Sequence, residues 1–76
     1  MQNVVDSKFL QALGAKVRYL RLQKELTQEE LGFRVGNSGK QIGRVERGEH
    51  NVTCCMLFAI SQGLEVHIKE LFDFEM

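Results

Sequence analysis

Apolar residues recur along this chain at the spacing of helices, not of strands. Phe9, Leu13, Val17 and Leu20 form one stripe at three- and four-residue steps. Asp6 or Ser7 is placed to cap the helix that carries it, which should run to about Lys24 or Glu25. Gly14 interrupts this helix, either as a tolerated weakness or as a point of close packing. Two short helices are predicted between Thr27 and Gly48. Thr27-Gln28-Glu29-Glu30 and Ser38-Gly39-Lys40-Gln41 each offer a reciprocal capping box, two helix starts only eleven residues apart. Leu31 and Val35 point inward from the first, with Gly32 between them, and Ile42 and Val45 from the second. Gly36 and Gly48 stand where a left-handed terminating residue is wanted.

The loop 49–53 has no periodicity. Thr53 or Asn51 should cap a fourth helix ending near Gln62, with Cys54, Leu57, Ile60 and Ser61 inward. Gly63 is expected to stop it, Leu64 and Val66 to fold back on the core, and a last short helix from about His67 to Phe72 to supply Leu71 and Phe72. Phe74 and Met76 are expected to be loosely placed. The fold class is therefore all-α, a compact five-helix bundle forming one domain over residues 1–76, with residues 1–5 a flexible lead-in. The expected core is Leu13, Val17, Leu20, Leu26, Leu31, Val35, Ile42, Val45, Leu57, Ile60, Leu64, Val66, Leu71 and Phe72.

Composition narrows the class. A chain of 76 residues makes a marginal core, which a second copy would reinforce. There is no proline and no alternation that argues for a sheet. No apolar run approaches the roughly 20 residues of a membrane span. The first residues lack the layout of a signal peptide, so the expected location is the cytoplasm. Cys54 and Cys55 are adjacent, and neither their spacing nor that of His50 fits a metal site. They read as reduced thiols, with Cys54 a small core residue.

Formal net charge is zero, but charge is segregated. From Lys16 to Arg47 eight Lys/Arg face four Asp/Glu, a net of +4, and the remainder carries −4. A basic middle and an acidic end suit nucleic acid on one face. The second short helix is the focus. Lys40, Arg44 and Arg47 share one stripe with Gly43 at its edge, opposite Ile42 and Val45. A solvated charged face is the ordinary meaning of such a stripe. The glycine-spaced helix in front of it favours a helix that enters a groove.

These residues resemble the helix-turn-helix of the phage repressor/Cro-like (Xre) family. The likeness rests on Thr27-Gln28-Glu29-Glu30-Leu31, a small residue at Gly32, then Gly36, Ser38, Ile42 and Val45-Glu46-Arg47-Gly48, and extends from Gly14 to about Phe72. Two positions depart: Gly32 replaces the usual alanine, and Gly43 weakens the reading helix by roughly 1 kcal/mol relative to alanine. The resemblance implies a lambda-repressor-like bundle that binds double-stranded DNA. It implies base reading by Gly39, Lys40, Gln41 and Arg44, and phosphate contacts from Gln28, Arg34, Arg47 and Asn51. Arg34 reads equally well as a solvated surface residue. It also implies that Glu46 pairs with Arg21 on the first helix as a structural clamp.

Cys55, Phe58 and Ala59 put an apolar face on the outside of the fourth helix. A dimer surface is the favoured reading, and a cover for the last helix is the other. The resemblance adds that family members commonly dimerise through this end, among them the controller proteins of restriction–modification systems. Asn51-Val52-Thr53 and Gly63-Leu64-Glu65-Val66 look similar to those controllers. An enzyme is not expected, because no phosphate loop, metal set or nucleophile with a base is present, and His50 and His67 are isolated. Nothing points to a cofactor or a small-molecule ligand. The expected function is a homodimeric, sequence-specific transcriptional regulator. The alternative is a protein-interaction module or antitoxin on the same fold.

Overall fold

Asp6 opens the first helix, its carboxylate accepting the Phe9 N–H at 2.9 Å. In the computed structural model, which describes residues 5–76, this helix, α1, spans Ser7–Gln23. It is followed by α2 (Gln28–Arg34), α3 (Gly39–Glu46), α4 (Cys54–Leu64) and a 3-10 helix over Ile68–Phe72. No strand occurs among the described residues. The part of the expected flexible lead-in before Val5 lies outside the described residues.

The caps determine where the helices start. Thr27 and Glu30 form the expected reciprocal box: the Thr27 Oγ1 accepts the Glu30 N–H at 3.0 Å, and Glu30 accepts the Thr27 N–H at 2.8 Å. That backbone bond holds the Glu30 carboxyl below its ordinary value. The stabilisation it brings is therefore present above the ordinary carboxylate range and is lost as pH falls through the depressed folded value. Ser38 caps α3 through the Gln41 N–H at 3.2 Å, but the box expected there is not reciprocal. The Ser38 N–H donates instead to Asn37 at 2.9 Å, which leaves the Gln41 side chain for other work. Thr53, not Asn51, caps α4.

All four α-helices end in one way. A residue with positive φ is followed by an N–H that bonds back to a carbonyl five residues earlier: Leu26 to Arg21, Asn37 to Gly32, Glu49 to Arg44 and Val66 to Ser61. Gly36 and Gly48 supply the left-handed residue for α2 and α3, as the sequence implies. Glutamate supplies it for α1 and α4, with φ of 58° at Glu25 and 60° at Glu65. The expected stop at Gly63 is thus two residues early. Gly63 is buried in the last turn of α4, where a Cβ would come within 3.0 Å of Leu31 Cδ1 and 3.1 Å of Val35 Cγ1.

The predicted fifth α-helix is a correction in kind, leaving four α-helices among the described residues. Ile68–Phe72 holds only five residues and is closed by short-range bonds such as Glu70 N–H to His67 C=O at 2.9 Å. The 3-10 geometry aligns Ile68 and Leu71 three residues apart, both against the core.

The core gathers Leu13, Val17, Leu20, Leu26, Leu31, Ile42, Val45, Leu57, Ile60, Leu64 and Leu71. Val35 and Val66 pack at its margin. Leu10 is buried as well. Phe72 is not a core residue, being 43% exposed. It stacks on Phe9 at 6.4 Å between centroids, beside Phe74, which lies at 5.9 Å from Phe9 and is better packed than expected. Cys54, the first residue of α4, is exposed and not the core residue expected. Two glycines set the spacing of the layers. A Cβ on Gly14 would lie 2.6 Å from the Glu46 carbonyl oxygen, and one on Gly32 would lie 2.5 Å from Ser38 C, so α3 is seated close on both α1 and α2.

The left-handed glutamates carry an avoidable strain. Replacing Glu65 with glycine is expected to raise stability by about 1 kcal/mol, because an L residue is strained in that region and glycine is not. Thermal denaturation checks this, and a lower melting temperature would contradict the role of this residue in ending α4.

Candidate nucleic-acid interface

Behind α3 lies a buried charge network. Arg21, in the last turn of α1, donates from Nε to Glu46 Oε2 at 2.6 Å and from Nη2 to Glu46 Oε1 at 3.1 Å. Its Nη1 donates to the Leu26 carbonyl at 2.8 Å, which fastens the chain between α1 and α2. Gln28, in the first turn of α2, donates to Glu46 Oε1 at 3.0 Å. One carboxylate on α3 is therefore gripped from both neighbouring helices. The side chains of Arg21 and Glu46 are 8% and 2% exposed, so the pair is shielded from water and the planar fork adds direction to the charge. The guanidinium is held charged, its pKa raised first by the hydrogen bond to Glu46. No buried side-chain nitrogen or oxygen lacks a partner among the described residues.

On this support, α3 turns Ile42 and Val45 inward and Lys40 and Arg44 outward. Lys40 is exposed, Arg44 and Gln41 half-buried. Neither Lys40 nor Arg44 makes an ion pair among the described residues, so both cations are available to an external anion. Gly39 faces Glu29 of α2, where a Cβ would lie 3.0 Å from the Glu29 nitrogen. It serves the close approach of the two helix starts and has only backbone to offer a ligand.

Gln28 and Arg47 come together over Gly43, which is buried, not at the edge of an open stripe. Arg47 caps the end of α3 and pairs with Glu49 at 2.7 Å through Nε. Both side chains of that pair are more than half exposed, so the pair contributes little stability. The Glu49 carboxyl is lowered by its hydrogen bond with Arg47. Asn51 is exposed in the loop after α3. The structure does not bring Arg34 to this group. Its Nη1 donates to the Gly63 carbonyl at 2.9 Å, which ties α2 to the end of α4.

The outer face of α4 carries Cys55, exposed, Phe58, 52% exposed, and Ala59, half-buried. Sequence reasoning missed two features. Glu49 as the partner of Arg47 was detectable from Gly48, whose turn brings the residues on either side together. Phe33, 86% exposed on α2, breaks the apolar stripe and left no signal beyond that mismatch. Among the described residues no three His, Cys, Asp or Glu cluster as metal ligands, and no helix is long and apolar enough to cross a membrane.

Two short helices set closely across a turn, the second with a buried back and a basic front, define a helix-turn-helix protein. The chain matches the helix-turn-helix family HTH_3 over residues 17–71 and belongs to that family, of the Xre type, whose members are DNA-binding transcriptional regulators. It is 40% identical over 62 residues to the control protein C.BamHI of Bacillus amyloliquefaciens, spanning 80% of this chain and 76% of that one. Among solved structures it is similar to the restriction-modification controller protein C.AhdI from Aeromonas hydrophila, with a TM-score of 0.81 and 36% identity over 83% of this chain and 96% of the other. It is also similar to the controller protein C.Esp1396I, with a TM-score of 0.81 and 31% identity over 90% and 88% of the two chains.

Arg21→Ala leaves the buried Glu46 carboxylate without its charged partner, with only Gln28 still donating to it. It is expected to cost about 3 kcal/mol, the lower part of the range for breaking a buried pair. Urea denaturation measures it, and an unchanged midpoint would show that the pair does not hold α3 in place.

Proposed function

We propose that this chain is a sequence-specific transcriptional regulator of the controller kind, which binds operator DNA as a homodimer with α3 in the major groove. The observation that carries the reading is the unpaired pair of cations, Lys40 and Arg44, on the outward face of a helix whose other face is locked to α1 and α2. The controller relatives in two genera support it. Arg44 has the length and the forked donors to take O6 and N7 of a guanine, Lys40 can reach guanine acceptors or a phosphate, and Gln41 can bond a base edge. Gln28, Arg47 and Asn51 flank them as phosphate contacts. Arg47 reaches a phosphate by exchanging Glu49 for it, an exchange of one weak exposed pair for a stronger field.

The roles separate in a salt titration on a selected site and on random duplex. Arg44→Ala should lose about 1–3 kcal/mol on the selected site and relax one base position per half-site. Arg47→Ala should weaken both duplexes alike and lower the salt slope by about one per site. Equal and weak binding of the wild type to both duplexes would contradict the regulator reading and favour a protein-interaction module.

The apolar face of Cys55, Phe58 and Ala59 is the proposed dimer surface. A two-fold there would set the two α3 helices about 34 Å apart, one turn of DNA. Phe58→Glu should give monomers in sedimentation that bind the site weakly. A variant still dimeric would move the interface elsewhere.

A further inference from the structure

Gly43 is unusual in being a buried glycine in the middle of the reading helix. Glycine is a poor helix former, and nothing in the backbone of α3 requires one there, since its φ is not among the positive values. The space beside its Cα is occupied by the polar ends of two side chains from different turns of the fold. A Cβ at position 43 would lie 3.1 Å from Arg47 Nη1 and 3.4 Å from both Nε2 and Oε1 of Gln28. Arg47 turns its Nε edge to Glu49, at 2.7 Å, and its Nη1 end to Gly43. Gln28 reaches across the same spot to Glu46 Oε1 at 3.0 Å. The bare Cα thus leaves room that both an amide and a guanidinium approach, one donor anchored by the buried network and the other held by an exposed carboxylate.

We propose that Gly43 is a positioning residue for DNA binding: its missing side chain lets Gln28 and Arg47 converge over α3 as one two-part phosphate site. The proposal rests on the reading of Gln28 and Arg47 as phosphate contacts. A methyl group at 43 meets the flexible ends of both side chains, so the fold accommodates it by pushing them apart. The helix itself gains from the change. Binding and stability therefore move in opposite directions, which a merely structural glycine would not produce.

The test compares Gly43→Ala, the double variant Gln28→Ala/Arg47→Ala, and the triple variant, each on a selected duplex and on random duplex, with melting temperatures alongside. Gly43→Ala is expected to melt at or above the wild-type temperature. It should bind both duplexes roughly three- to tenfold more weakly, with a smaller salt slope. In the Gln28→Ala/Arg47→Ala background the added Gly43→Ala change should cost nothing more. Wild-type affinity for Gly43→Ala overturns the proposal. So does an equal loss in the double-variant background, since the methyl group would then be meeting DNA itself. A lowered melting temperature that accounts for the weaker binding overturns it as well. Failure of the underlying reading shows separately: the Gln28→Ala/Arg47→Ala protein would then bind like the wild type.

Discussion

The position of α3 depends on one buried carboxylate. Glu46 sits near the end of α3 and takes donors from Arg21 of α1 and Gln28 of α2. Removing two charges from water is expensive, and the attraction between them repays that cost only when geometry is good and the remaining donors are satisfied. Here the guanidinium is forked onto the carboxylate and its last nitrogen is bonded to the Leu26 carbonyl. A hydrophobic trio of the same shape could match its stability. It would not specify direction, whereas the fork fixes both the distance and the rotation of α3 relative to α1. The close seats at Gly14 and Gly32 act with it, because a helix held by ionic bonds alone would leave gaps that side chains from the core could not fill.

This support leaves α3 with two unlike faces. Ile42 and Val45 are consumed by the core, and the outward Lys40 and Arg44 form no ion pair among the described residues. The chain as a whole is neutral, so its attraction to a polyanion comes from placement and not from net charge. Glu49, on the border of the basic face, already engages Arg47. Under the proposed reading, an acidic residue there would trim the general pull of the face on any duplex and leave more of the binding to contacts that depend on sequence. Gln28 belongs to both halves of this arrangement. Its amide is bound to the buried carboxylate and lies beside Gly43 with Arg47, so under the proposed reading one side chain would serve both the scaffold and the DNA contact.

Helix starts were legible in the sequence, because a capping residue acts through bonds to its own next turn. Thr27 and Ser38 cap as their side chains imply, Ser38 without the reciprocal bond, and the structure chooses Asp6 over Ser7 and Thr53 over Asn51. Helix ends were less so. Glycine marked two of the four, but Glu25 and Glu65 adopt left-handed backbone because the following residue, Leu26 or Val66, is drawn toward the core, a cause that lies outside the local sequence. Gly63 misled for the converse reason, its role being contact with α2. The last segment kept its contact through Leu71 but not its form, since five residues cannot sustain an α-helix without neighbours. In the site, the stripe of Lys40 and Arg44 followed from period alone. The burial of Gly43 under Gln28 and Arg47, and the engagement of Arg34 by α4, depend on how three helices meet and left no trace in spacing.

That the locked helix is delivered to the major groove of a two-fold site is most directly tested by methylation interference on duplexes selected from a random pool. Methyl groups on guanine N7 project only into the major groove. The expected result is an enriched, two-fold-related sequence in which methylation blocks binding in two patches about one helical turn, roughly 34 Å, apart on one side of the duplex. Selection without any enriched sequence, or an enriched site whose binding is indifferent to N7 methylation at every guanine, would contradict the account.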